Sequence, residues 1–181
     1  MRTHVFLDID GVLVMEPTPP LPPGRRSADV RVADGRFVPV SWDDGVIADL
    51  GARLSHPDTT VTTVSTWEHD APALFRTLGL PEVLWLTLPE VPIDYSNSPQ
   101  IMERKRAAVS AHLTSAAADD TIPDRILWID DHHSKDPETR AALAAEVSAE
   151  AGPDTSTLIL APWARECLTA AHLDEIRAFL G

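Results

Sequence analysis

The chain has 181 residues and a mass of 19.7 kDa, the size of one domain with room for a small insert. Fifteen Lys and Arg against 28 Asp and Glu give a formal net charge of −13. That balance argues against long nucleic acid and anionic membranes as partners, because the counterion-release term has the wrong sign. A single cysteine, Cys167, excludes an internal disulfide and a Cys-rich zinc site; no run approaches the ~18 apolar residues of a membrane span, no leader is evident, and a cytoplasmic protein is expected.

Val5-Phe6-Leu7 opens a short apolar run that ends in Asp8-Ile9-Asp10-Gly11. It reads as a buried strand. Pro17-Thr-Pro-Pro-Leu-Pro-Pro23 can be neither helix nor central strand, since each proline fixes φ and removes a donor. Asp34-Gly35, set between alternating residues of 30–40, predicts a β-hairpin. A helix follows from about Asp43 to Leu54, with Val46, Ile47, Leu50 and Leu54 on one face. Val61 to Val64 is β-branched and predicts a second strand, ending in Ser65-Thr66-Trp67. Pro72 opens the next helix, Leu74, Phe75 and Leu78 face inward, and Gly79 stops it. Val83 to Leu88 reads as a third strand. Ser98-Pro99 starts a helix with Met102, Val109 and Leu113 on its buried stripe and Lys105 near its N-terminal end. Arg125 to Ile129 is a fourth strand, ending in Asp130-Asp131-His132-His133. Asp136 starts a helix that stops near Gly152, Thr157 to Leu160 is a fifth strand, and Thr169 caps the last helix. Strands alternating with helices imply an α/β sandwich of three layers around a central parallel sheet. One domain over 1–181 is expected, with 14–41 as a small cap-like insert.

In such a sheet, ligands bind at the carboxyl ends of the strands. Asp8 and Asp10, Ser65 and Thr66, and Asp130 and Asp131 all fall there. Four carboxylates at one edge repel unless a cation binds among them or their pKa values rise. Oxygen ligands suit a hard ion, and Mg²⁺ is the natural choice. With Lys105 as a charge clamp and a hydroxyl to hold a phosphoryl oxygen, the set suits phosphoryl transfer.

On these residues the chain resembles the haloacid dehalogenase (HAD) superfamily. Asp8-Ile9-Asp10-Gly11-Val12-Leu13 matches its first motif, Ser65 (with Thr66 as alternate) its second, Lys105 its third, and Asp130-Asp131 its fourth. Ser65-Thr66-Trp67-Glu68, Leu78-Gly79-Leu80-Pro81, Trp128-Ile129-Asp130-Asp131 and Leu168-Thr169 with His172-Leu173 are similar to a bacterial HAD domain family associated with RNA repair proteins. The resemblance implies a Rossmann-like fold of about five parallel strands and a Mg²⁺-dependent phosphomonoester hydrolase. It implies that Asp8 is the nucleophile of an aspartyl-phosphate intermediate and Asp10 the general acid and base. It implies that Gly11, Ser65 and Lys105 surround the phosphate. Asp8, the Asp10 backbone carbonyl, Asp130 and Asp131 would hold the metal. An acid at position 10 points to the phosphatase branch.

Other readings compete. Asp131-His132-His133 also spells the signature of the Mn²⁺-dependent DHH phosphoesterases, although Phe6 stands where that family's first motif has a histidine. A HAD fold kept as a non-catalytic binding module is the other alternative. Arg104 and Arg106 flank Lys105, which also fits a solvated helix face. Trp67, Trp85 and Trp128 read as core, and Trp163 is open. The insert at 14–41 and about ten residues at 89–98 leave no space for a full cap domain. In the family it resembles, an open site suits large substrates such as phosphorylated polymer ends; the expected partner is a phosphorylated small molecule or a phosphorylated polymer end, such as an RNA end. Arg25 and Arg26 in the insert are expected to bring positive charge to that substrate. The sequence leaves the oligomeric state open.

Overall fold

The computed structural model describes residues 1–89 and 98–181. In chain order, β1 (Thr3–Leu7) is followed by a hairpin of β2 (Arg25–Arg31) and β3 (Phe37–Asp43). Then come α1 (Asp44–Leu54), β4 (Thr59–Thr63), α2 (Ala71–Leu78), β5 (Leu84–Trp85) and α3 (Ser98–Ala118). β6 (Arg125–Ile129), α4 (Pro137–Ala151), β7 (Ser156–Leu160) and α5 (Ala170–Leu180) complete the order. The main sheet runs β5-β4-β1-β6-β7, and every pairing in it is parallel. This is the α/β sandwich that the alternation of strands and helices predicts.

The sheet divides two apolar layers. Val5, Leu7 and Ile9 pack with Leu50, Leu54, Phe75, Leu173 and Ile176, so α1, α2 and α5 serve one face. Phe6 packs with Val109, Leu113, Trp128, Val147 and Ile159, so α3 and α4 serve the other. Both faces of β1 are covered, and all five of its residues are buried. That is why its sequence is nearly continuously apolar rather than alternating. The chain leaves β1 toward β4 on one side and reaches β6 on the other. The strand order therefore reverses at β1, and a crevice opens at the carboxyl ends of β1, β4 and β6.

The caps follow the sequence. The Asp43 carboxylate accepts from Val46 N–H at 3.0 Å, and Asp136 accepts from Thr139 N–H at 2.8 Å. His172 Nδ1 accepts from Thr169 N–H at 3.1 Å, the return half of a capping box. Gly79 ends α2 at φ +71°, a left-handed turn that glycine adopts without a Cβ penalty. The hairpin turns at Asp34-Gly35, where Gly35 N–H donates to Val32 O at 2.9 Å and has φ +87°. Its tip is tied down by Ala33 N–H donating to Asp70 Oδ1 at 2.7 Å.

The strand expected over 83–88 is shorter. Only Leu84 and Trp85 pair with β4, and both are exposed. An edge strand with one neighbour has half the ladder to hold it, and the chain turns away after Leu86 N–H donates to Thr63 O. Residues 90–97 of the connector read at 89–98, and the Ser98 and Pro99 side chains of the expected cap, lie outside the described residues. No helix among the described residues is long and apolar enough to cross a membrane.

One buried polar group makes stability sensitive to pH. His4 on β1 is 8% exposed, stacks on Phe6 at 4.4 Å, meets the His112 ring edge at 4.7 Å, and has Nε2 2.9 Å from Thr62 Oγ1. Burial, helped by His112, pushes its pKa down to about 3. The unfolded chain, with an ordinary histidine pKa near 6.5, binds the proton first. The stability from neutral His4 is therefore present above about pH 6.5 and is lost as pH falls toward the folded pKa. Between pH 6.5 and 4.5 the wild type should lose about 2–3 kcal/mol more than His4→Phe does. Urea melts of both proteins at the two pH values test this, and equal slopes would refute it.

Candidate active site

β1 ends in Asp8, whose side chain is buried, and β6 ends in Asp130, which has no exposed surface. The strands are in register, with Leu7 beside Ile129, so the two carboxylates emerge side by side. Lys105 rises between them from α3. Its Nζ lies 2.7 Å from Asp8 Oδ2 and 2.7 Å from Asp130 Oδ2. Lys105 is 1% exposed, which rules out the solvated-face reading. It falls on the inward stripe with Val109 and Leu113, at i+4 and i+8 from it, and both of these are buried.

Around this bridge the turn after β6 folds back on itself. His132 N–H donates to Asp130 Oδ1 at 3.0 Å, and His133 N–H to Asp130 O at 3.2 Å. The turn brings His132 Nδ1 to 2.8 Å from Asp131 Oδ1, 3.3 Å from Asp130 Oδ1 and 3.9 Å from Asp8 Oδ2. His133 instead goes inward and meets the Trp128 ring edge at 4.7 Å. The two histidines that look alike in sequence therefore differ: one joins the acids and the other is core.

The electrostatics follow from burial and crowding. Burial, reinforced by Asp130, drives Asp8 up against the pull of Lys105. Burial would raise Asp130 too, but His132 and Lys105 outweigh it and hold Asp130 low. Burial works against the Lys105 charge, and the two carboxylates reverse that and raise it. The neighbouring Asp130 and Asp131 carboxylates push His132 up to about 10. The imidazolium offsets part of the negative charge.

Asp8, Asp130, Asp131 and His132 each offer a ligand atom, all within 4.8 Å of one another. Asp131 Oδ1 and His132 Nδ1 are buried, and neither makes a hydrogen bond; their 2.8 Å contact is out of line for one. An unpaired buried carboxylate oxygen such as Asp131 Oδ1 is what a divalent cation would satisfy, with His132 Nδ1 a further ligand once its proton is lost. The residues present therefore fit such an ion. The set expected from the resemblance also has the Asp10 backbone carbonyl; the side-chain cluster adds His132.

Asp10 stands at the mouth of the crevice. Its Oδ2 accepts from the Trp67 indole N–H at 2.9 Å. Burial of the carboxylate's inner side raises its pKa, opposed by that Trp67 bond. Trp67 is core, as read from the sequence, but its polar edge also orients Asp10. Gly11 has φ +71°, and a Cβ there would lie 2.5 Å from Asp131 Oδ2 and 3.0 Å from Ala164 Cα. Glycine is needed at this point for the left-handed turn and because the Asp131 carboxylate occupies the space.

β4 ends beside β1, where Val64 N–H donates to Leu7 O at 3.0 Å. Ser65 is buried next to that contact, whereas Thr66 is exposed. Arg25 and Arg26 belong to β2 rather than to the proline loop. Arg26 pairs with Asp44 at 2.9 Å, and Arg25 donates to Glu166 O at 3.1 Å. Neither guanidinium enters the carboxylate cluster. Two further residues complete the rim. Lys135 Nζ donates to Asp131 O and Pro162 O, both at 2.6 Å, and lies 5.3 Å from the centre of the Trp163 ring.

The family model described as the HAD domain in Swiss Army Knife RNA repair proteins matches residues 4–152. The chain belongs to this family. The match covers all four strand-end motifs and assigns the Asp131-His132-His133 string to a HAD chain rather than to a DHH phosphoesterase. No curated protein and no solved structure matches the chain. Membership in the HAD family suggests a hydrolase, and the acidic cluster gives this HAD domain a place for a divalent metal.

Proposed function

We propose that this HAD domain is a Mg²⁺-dependent phosphomonoester hydrolase that works through an aspartyl-phosphate on Asp8. The observation that carries the reading is the Lys105 ammonium held between Asp8 and Asp130. A buried cation there pulls Asp8 toward its ionised form, opposing desolvation, and would face the entering phosphoryl group.

Asp8 would attack phosphorus in line, forming an O–P bond as the bond to the leaving oxygen breaks. Asp10, held by Trp67 and with its pKa raised, would give its proton to that oxygen. It would then take a proton from the water that attacks the aspartyl-phosphate, releasing phosphate and the Asp8 carboxylate. Lys105 and the buried Ser65 hydroxyl would hold phosphoryl oxygens, with Thr66 as the exposed alternate. Asp8, Asp130, Asp131 and His132 would hold the divalent ion, which when bound supplies positive charge to the phosphoryl oxygens. The insert at 14–41, which holds most of the β2–β3 hairpin, would serve as a minimal cap, with Arg25 and Arg26 at the hairpin's base. The substrate would be a phosphorylated small molecule or polymer end; the family's description supports an RNA end.

The test is hydrolysis of p-nitrophenyl phosphate with Mg²⁺, Mn²⁺ or EDTA. Turnover should require Mg²⁺, vanish in EDTA and return when Mg²⁺ is restored. Absence of turnover on a phosphomonoester panel, together with no Mg²⁺-dependent beryllium fluoride binding, would overturn the reading.

A further inference from the structure

Trp163 is one of several large exposed apolar residues, with Phe37 and Trp85, and among these it is the one on the loop after β7. It is a large aromatic residue, 60% exposed, on the loop after β7, and that loop reaches the same sheet edge as the catalytic acids. The ring is held in place rather than loose. Lys135 lies 5.3 Å from its centre, and Lys135 is itself fixed by the carbonyls of Asp131 and Pro162. The loop is closed by Cys167 N–H donating to Trp163 O at 2.9 Å, and it is tied to the nucleophile loop by Leu168 N–H donating to Val12 O at 2.8 Å. Ala164, the next residue, abuts Gly11.

The ring is thus linked to the acids through Lys135, which bonds the Asp131 carbonyl, and one of its faces meets that ammonium. A flat ring beside a phosphate site suits one ligand chemistry well: a phosphate attached to a planar base. Aromatic side chains stack on any base without reading its sequence, and a cation beside the ring adds attraction for the nearby phosphate. The net charge of −13 disfavours a long strand, but it does not oppose one or two nucleotides seated at a rim with Lys135.

We propose that Trp163 stacks the base of the substrate, which makes that substrate a nucleotide monophosphate or the terminal nucleotide of a short single strand. This rests on the phosphatase reading above. Trp163 lies outside the segment 4–152 that the family model matches.

The experiment compares adenosine monophosphate (5′ and 3′ isomers) with glycerol phosphate, which has no ring. The ratio of kcat/KM for the better nucleotide isomer to that for glycerol phosphate should fall roughly 5- to 100-fold in Trp163→Ala. The loss should appear mainly in KM, and Trp163→Phe should restore most of it. In the Asp8→Asn background, adenosine monophosphate should quench tryptophan fluorescence, and Trp163→Phe should remove most of that quench. An unchanged ratio and an unchanged quench would overturn the proposal and leave the phosphatase reading standing. Nucleotide binding that depends on Trp163, without hydrolysis of any phosphomonoester, would overturn the phosphatase reading and keep the stacking role. A Trp163→Ala protein that changes only its oligomeric state would assign the ring to a protein interface and refute the proposal.

Discussion

Asp8→Asn should reduce phosphomonoester turnover at least ~10³-fold while leaving the fold intact. An amide has the shape of the carboxylate but is not a nucleophile, so the covalent step is lost rather than slowed. Stability should move little, or upward. In the wild type, burial and the adjacent Asp130 raise the Asp8 pKa. A group whose folded pKa lies above its unfolded value costs stability once pH exceeds the unfolded pKa. Removing that charge removes the cost, set against one lost contact to Lys105. A thermal melt beside the hydrolysis assay separates the cases. An inactive variant with an unchanged or higher Tm identifies Asp8 as chemical. Activity within tenfold of wild type would exclude it as nucleophile.

The acids were legible because β1 and β6 are short apolar runs, and charges directly after such runs must lie at a sheet edge. The strand alternation fixed which edge. Lys105 was legible only in part. Its neighbours Arg104 and Arg106 make it look solvated, but Met102, Lys105, Val109 and Leu113 share one helical stripe, and that phase indicates an inward lysine. His132 carried no such signal. Its place depends on a turn in which Asp130 caps the backbone two and three residues on, a geometry that a string of Asp and His does not specify. The Trp67 bond to Asp10 was hidden because an apolar ring explains itself as core, and nothing in its spacing announces the use of its N–H. Two arginines in an acidic chain's insert suggest positive charge brought to a substrate, as expected of Arg25 and Arg26. The antiparallel register sets Arg25 opposite Asp43 and Arg26 opposite Trp42, at the base of the hairpin, where Asp44 and the Glu166 carbonyl take them up.

Lys105→Met should be the most destabilising single change at this site, by about 3–5 kcal/mol at pH 7. Methionine fills much of the same volume along the stripe with Val109 and Leu113, so packing is largely kept. What disappears is the one ammonium that contacts both Asp8 and Asp130 at 2.7 Å. Two buried carboxylates then face each other without it, and each is left short of a hydrogen bond. The Asp8 pKa rises further above its unfolded value, and Asp130 loses one of the two partners that hold it low, so the variant regains stability as pH falls toward about 4. The wild type behaves oppositely at Asp130, whose depressed pKa contributes stability that is lost on acidification. The gap between the two proteins must therefore be widest near neutrality and narrow by pH 4.5. Chemical melts at both pH values measure it. A gap that stays constant, or one below about 1 kcal/mol, would mean that Lys105 fills space rather than balancing the acids. Turnover should fall roughly 10²-fold or more in the same variant, because protonated Asp8 cannot attack and the phosphoryl oxygens lose their fixed cation.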